Sequence, residues 1–358
     1  MKEFSRYSIF LVLQASFHSL VGGCGSLGLD ESSLTIVGIN DEEVFYQFYP
    51  EDSGFVTLPS SLWKIDVQSG ASKRIREAVK QFGLQVDGDY YVTEIALNDE
   101  RLGRIVAVQI STDRRSVLHE RPLVPAASDP IIHLLRDDRV ILLTSDGLSV
   151  YELNQDHLLK TLALPIADLE LIAFDGRHVF LDKLNKDSSD GFLVDVDTEE
   201  FRSIPLPPGN VYPLYVDAIL SYPLLVTSGW EQLDEDRARN ELLLFNAEAN
   251  SWQSLVQYDV FDFEDGIPPV VFVTGFDGET VIASLETWGP VVEWSVEAVP
   301  ISTGARSVIT KETGTVFMAP VFAKLHDGSL YWVDSHVPAI VIHDLGTDDR
   351  RFVPLSLP

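Results

Sequence analysis

Apolar residues in this chain fall in short runs broken by Asp, Gly, Asn, Pro and Ser, which is the punctuation of strands and tight turns. Two signals recur. The first is a tight turn between two apolar runs: Asn40-Asp41-Glu42, Asp87-Gly88, Asp137-Asp138, Asp175-Gly176, Ser221-Tyr222-Pro223, Asp277-Gly278 and Asp327-Gly328. Gly, and less readily Asp, tolerates the positive φ that such hairpin turns demand. The six intervals from Asp41 to Asp327 average about 48 residues. The second signal follows each turn: an apolar strand, a polar turn and another short strand. It is clear at Leu62–Val67 before Gln68-Ser69-Gly70, at Leu193–Asp197 before Thr198-Glu199-Glu200, at Leu243–Asn246, and at Ile340–Asp344. Only Lys73 to Gln81 has a helical pattern.

Four short strands in about 48 residues, repeated along the chain, describe a blade that buries its apolar faces against its neighbours. The spacing predicts an all-β fold, a seven-bladed β-propeller of four-stranded antiparallel blades; six and eight blades are the alternative counts. The blades fall near 33–77, 78–122, 129–165, 168–208, 212–257, 269–312 and 316–358. The first opens on its inner strand and the last ends on its outer one, so the ring should close by packing blade one on blade seven without a shared blade. A protein of two β-sandwich domains is the competing architecture. An alternating α/β fold lacks its crossover helices.

The strands ending in Asp before a Thr-Gly-type turn resemble the repeats of bacterial propellers of the TolB and quinoprotein-like kind. Asn250-Ser251-Trp252 resembles the end of one kelch repeat. The paired glycines of kelch blades and the Gly-His and Trp-Asp pairs of WD40 blades are missing from the sequence. The resemblance therefore implies an architecture and no specific family.

The N-terminus has a different pattern. Lys2 and Arg6 precede an apolar stretch from Tyr7 to Val21, too short and too polar for a membrane-spanning helix. It ends in Leu20-Val21-Gly22-Gly23-Cys24, which resembles the lipobox of bacterial lipoproteins. There, small side chains precede the cysteine that is lipidated and becomes the new N-terminus. Cys24 is the single cysteine of the chain, so no intramolecular disulfide can form. The alternative is an ordinary secretory signal cut elsewhere. The expected organisation is a signal peptide over 1–23, a lipidated tether over 24–32 and one propeller domain over 33–358. The residue after Cys24 is Gly25, not Asp, and that resembles the pattern sent to the outer membrane in many Gram-negative bacteria. A lipid-anchored place in the cell envelope, on the periplasmic face or the surface, follows as the expectation.

The chain carries 26 basic and 55 acidic residues, a net charge of −29. Such a surface repels phosphate backbones and anionic headgroups, so no nucleic acid partner is expected. The acidity serves solubility, or attracts a cationic partner.

Catalytic patterns are not found in the sequence. The seven histidines after His18 are scattered without metal-ligand spacing, and no phosphate loop or nucleophile elbow occurs. Asp195-Val196-Asp197-Thr198-Glu199 alternates oxygen ligands but fails the calcium-loop template, and reads as a repeat turn. No metal or cofactor is expected. The long loops between second and third strands, and between blades, should share one face. There Trp230, Asp234, Asp262, Glu264, Asp265 and Trp288 bring aromatic rings and carboxylates together, a chemistry suited to cationic peptides or stacked sugars. The alternative is that Trp230, Phe261, Phe263 and Trp288 pack between blades. The expected function is a non-catalytic scaffold that holds a protein or glycan partner. Its rival is a hydrolase or lyase that uses channel carboxylates on a polymer.

Overall fold

The computed structural model describes residues 33–40, 42–49, 60–79, 84–97, 102–122, 133–155, 157–184, 189–234, 236–262, 269–287, 292–314, 323–334 and 339–355. Among them every regular element is a β-strand. Blade one holds β1 (Ser33–Ile39), β2 (Glu43–Tyr49), β3 (Ser60–Asp66) and β4 (Ser72–Val79). Blade two holds β5 (Gln85–Asp87), β6 (Tyr90–Leu97), β7 (Leu102–Gln109) and β8 (Arg114–Pro122). Blade three follows with β9 (His133–Arg136), β10 (Arg139–Thr144), β11 (Gly147–Glu152) and β12 (His157–Leu162). Blade four is β13 (Leu169–Phe174), β14 (His178–Leu184), β15 (Ser189–Asp195) and β16 (Glu200–Ser203). The strands lengthen in blade five, which is β17 (Val211–Ser221), β18 (Leu224–Gln232), β19 (Arg237–Asn246) and β20 (Ser251–Asp262). Blade six is β21 (Val270–Phe276), β22 (Thr280–Thr287), β23 (Val292–Pro300) and β24 (Ser307–Gly314). Blade seven completes the chain with β25 (Lys324–His326), β26 (Ser329–Asp334), β27 (Ala339–Asp344) and β28 (Arg350–Pro354).

Each sheet takes its strands in chain order, so the seven-blade expectation holds. Inner strands touch in a ring: β1 on β5, then β9, β13, β17, β21 and β25, which returns to β1. Blade seven supplies all four of its own strands, and the ring closes by packing alone.

That packing divides into seven clusters, one per seam. Strand alternation explains the division. In β14, Val179 and Leu181 pack on Ile141 and Leu148 of blade three, while Phe180 packs on Leu225 and Phe245 of blade five. Both faces of every sheet are thus buried, which is why the strands read as near-continuous apolar runs. Burying one such side chain stabilises the ring by about 1.5–3 kcal/mol.

Turn chemistry fixes the registers. Asp137 and Asp138 both take positive φ, 50° and 59°, as do Asp327 and Gly328 at 45° and 68°. Aspartate also caps the turns: Asp66 Oδ1 accepts from Gln68 N and Ser69 N, Asp195 Oδ1 from Asp197 N and Thr198 N, and Asp344 Oδ1 from Gly346 N and Thr347 N. The segment at Asp195 is therefore a turn, as its failed calcium template suggests. Other turn acids stitch neighbours together. Asp87 Oδ2 accepts Asp137 N at 2.7 Å, and Asp175 Oδ2 accepts Tyr222 N at 3.0 Å, each across a seam.

Two boundaries differ from the sequence pattern. Lys73 to Gln81 does not form a helix: its described part belongs to β4, the outer strand of blade one. Two register shifts in the β3–β4 pairing break the two-residue alternation, and so hide the strand. Blade five runs to Asp262, past residue 257, because β20 extends to pair with the start of β19.

Candidate functional site

The turns between first and second, and third and fourth, strands emerge on one face of the ring. Loops between second and third strands, and the links between blades, emerge on the other. Blade five projects furthest on this loop face, because its strands continue through Gln232↔Ala238 and Arg237↔Asp262. Trp230, Asp234 and Asp262 all lie at that end of blade five, but the register puts Trp230 on the face toward blade six and Asp262 on the face toward blade four. Cys24, Glu264, Asp265 and Trp288 lie outside the described residues, as does Phe263.

Trp230 is half-buried and stacks on Tyr212 with centroids 4.7 Å apart. It shares its face of β18 with Val226, which packs on blade six. Trp230 is thus both a packing residue and the top of an aromatic step that ends at the rim. Asp234 organises its own turn: Oδ1 accepts Asp236 N and Arg237 N, and Oδ2 accepts Nε and Nη2 of Arg237 at 2.8 and 2.5 Å. The Arg237 side chain, followed by the turn amide, holds this carboxyl below its ordinary value. Asp262 is exposed and adds to the field on Arg237. Nearby, Arg239 is shared by Glu231 and the buried Glu241. The acids of this rim are therefore largely neutralised within the blade, and the exposed remainder is a narrow aromatic and carboxylate edge.

A second feature escaped the sequence reading. The fifth residue of each second strand faces the following seam: Gln47, Glu94, Leu143, Asp182, Ser228, Ser284 and Val333. Leu143 and Val333 join the apolar clusters, whereas the other five are buried polar groups. A carboxylate inside an apolar run, as in Val179-Phe180-Leu181-Asp182, was the available signal. Asp182 is 5% exposed, and burial, then Glu170 and Asp190, push its carboxyl up to about 7. Glu286, two residues beyond Ser284 on the same face of β22, is pushed up to about 7 by burial alone. An acid of this kind holds its proton near neutrality and can deliver it. Asp182 and Glu286 lie in seams two blades apart, so they do not form a carboxylate pair.

On the turn face, Glu42, Glu43, Asp87, Asp137 and Asp138 line a cavity of about 760 Å³ with Asn40 and His326. Burial, then Asp87, Asp137 and Asp89, raise the Asp138 carboxyl. Among the described residues no three His, Cys, Asp or Glu side chains converge closely enough to hold a metal ion.

No family model matches the chain, and no curated protein sequence does so. Solved structures match its fold. The β-propeller domain of the trilobed protease from Pyrococcus furiosus superimposes with a TM-score of 0.57 at 10% identity, covering 91% of this chain and 99% of that one. An oligogalacturonate lyase from Vibrio parahaemolyticus gives 0.58 at 12% identity, with 84% and 86% covered. An acylaminoacyl peptidase gives 0.57 at 11% identity over 90% of this chain and 52% of its own. At such identities the likeness is one of fold. The class defined is a seven-bladed propeller closed without a shared strand.

Proposed function

We propose that this protein is a lipid-tethered propeller of the bacterial cell envelope that holds a protein or glycan partner on its loop face without transforming it. The observation that carries the reading is the half-buried Trp230–Tyr212 stack at the tip of the extended blade five. Stacked rings held at the edge of a rigid sheet offer a flat apolar platform flanked by carboxylates, which suits sugar rings or basic side chains. Asp262 adds an exposed charge at the same end of blade five, on the other face of the sheet from the stack, and Glu264, Asp265 and Trp288 extend the same proposal. The tether rests on Leu20 to Cys24.

Affinity capture from native envelope tests it. Trp230→Ala should weaken capture while the melting temperature stays within about 2 °C. A large loss of stability with capture unchanged would assign Trp230 to the core alone. Cys24→Ala should abolish incorporation of labelled fatty acid and release the protein into the soluble fraction.

A second reading, cleavage of an extracytoplasmic polymer, is favoured by one observation: the carboxyl of Glu286 is suited to proton donation near neutrality. Its structural neighbours include peptidases and a lyase acting on oligogalacturonate. A panel of oligogalacturonate, ester and peptide substrates decides it. Turnover lost in Glu286→Gln would replace the scaffold reading.

A further inference from the structure

We propose that the seam between blades four and five is a proton-operated latch, in which the Asp182 carboxyl closes on the Tyr215 hydroxyl while it carries a proton and releases β17 on ionising. The proposal does not depend on which partner the loop face holds.

Two orphaned groups motivate it. Asp182 Oδ1 and Tyr215 Oη are both buried, and neither has a hydrogen-bond partner among the described residues. A buried, unmet polar atom is costly, and two in one seam point to a bond made between them, directly or through a water. A neutral carboxyl bonds the phenol without leaving a charge in the seam. A carboxylate still accepts the phenol O–H, but it holds an unpaired charge, 5% exposed, beside Glu170 and Asp190, and opening the seam to water relieves that cost. The fit is prepared by Gly191, directly opposite Asp182 in the β14–β15 ladder. A Cβ at Gly191 would lie 3.2 Å from Tyr215 Cζ and 2.9 Å from Phe180 Cε2, so glycine lets the phenol lie against the sheet.

The charges around Asp182 favour the protonated form. From β13 comes Glu170, its ladder partner, and from β15 comes Asp190. On its own face of blade four the basic groups are His178, held by Asp175 at the turn end, and Arg202, beside Leu193 on the outer strand. Lys183 points to the opposite face. From blade five come Tyr215, whose hydroxyl is made less acidic by burial and then by Asp182 and Asp190, and the trio Glu231, Arg239 and Glu241. Arg239 is already held by both of those glutamates. No cation is therefore paired with Asp182 among the described residues.

β17 has a gap in its own ladder beside Asp182. Between the pairs Leu214↔Ser228 and Ile219↔Val226 it loops out Tyr215 to Ala218, so Tyr215 has no ladder partner on β18. The far side of that loop is pinned to blade six, where Asp217 Oδ2 accepts Val273 N at 2.8 Å. The Asp182–Tyr215 contact is the corresponding hold on blade four.

Infrared spectroscopy and hydrogen exchange on the full chain test the latch. The protein should show a protonated-carboxyl carbonyl band at about pH 6 that is lost by about pH 8 and is reduced in Asp182→Asn. Exchange protection over residues 211–221, corrected for intrinsic rates, should fall about tenfold across the same range, a one-unit change in log scale. Asp182→Asn, neutral at every pH, should remove most of that fall, and what remains belongs to Asp217 on β17 itself. Tyr215→Phe should lower it at about pH 6 yet keep the band. If Asp182→Asn fails to fold, Glu286→Gln with Asp217→Asn removes the buried acids Glu286 and Asp217 that also hold protons near pH 6, and the band that remains is that of Asp182. A missing band, pH-independent protection in the native protein, or a pH dependence retained in full by Asp182→Asn overturns the latch.

Discussion

Glu297 is 1% exposed yet remains in a blade because Arg306 forks onto it, with Nη2 to Oε1 at 2.7 Å and Nε to Oε2 at 2.9 Å. Tyr258 adds its hydroxyl at 3.3 Å and its ring 4.5 Å beneath the guanidinium. Removing one partner of such a pair leaves a buried charge, which costs more than the pair contributes. Arg306→Ala should lower unfolding free energy by about 3 kcal/mol, somewhat moderated because Arg306 itself is partly exposed. Adding Glu297→Gln to Arg306→Ala should recover much of it, a coupling that denaturant unfolding of the native protein, the two single variants and the double variant measures. Backbone constraint acts at the same scale. Gly147 has φ 127°, and a Cβ there would come 2.2 Å from the carbonyl oxygen of Leu162. Alanine at 147 meets both penalties, and should destabilise blade three by about 1–3 kcal/mol in the same measurement.

Single strands show how far a pattern can be read. The Asp-Gly turns were legible because their chemistry is local: a positive φ needs a residue that permits it, whatever surrounds it. The outer strands were less legible, since β4, β8, β12, β20 and β24 all pair through a bulge. Bulges bend an exposed edge and protect it from pairing with other chains, and they also erase the two-residue period. The rim of blade five was visible as composition, but its Asp234–Arg237 and Glu231–Arg239 pairs depend on strand register. The Asp182–Tyr215 seam was invisible, because the two residues meet only when blade five folds against blade four. The bulge in β17 is held by one side chain, and this gives a test at the element scale. Asp217 Oδ1 accepts Ser228 N at 3.1 Å, taking the place of a missing ladder carbonyl, while Oδ2 crosses to Val273 N. Asp217→Ala orphans two buried amides and should cost about 2–5 kcal/mol. Asp217→Asn keeps one acceptor and should lose about half as much. Hydrogen exchange should place the damage in β17 and β21, leaving the blade one to blade two seam protected.

For the molecule as a whole, buried acids and surface charge act in the same direction. Asp182 and Glu286 are pushed up to about 7, and Asp217 up to about 6, chiefly by burial. A carboxyl whose value is raised on folding binds its proton more tightly in the folded state. Its contribution is complete below the unfolded value of about 4 and is lost as pH rises through the folded value. Asp175 behaves oppositely. Burial opposes ionisation there, but His178, Arg177 N and Tyr222 N hold it at about 2, so its contribution is lost only as pH falls from about 4 towards 2. Stability should therefore be highest near pH 4.5–5 and decline towards about pH 8, the reverse of a protein whose paired carboxylates dominate. Self-repulsion from a net charge of −29 declines in the same direction as surface carboxylates take up protons. Salt separates the two causes, because exposed charges are screened within about 8–10 Å at moderate ionic strength and buried groups much less so. Urea unfolding across this range should keep most of its pH slope at about 0.5 M salt in the native chain. Asp182→Asn with Glu286→Gln should flatten it. A slope that vanishes with salt alone would assign the whole effect to the surface, and would leave the seams indifferent to protons.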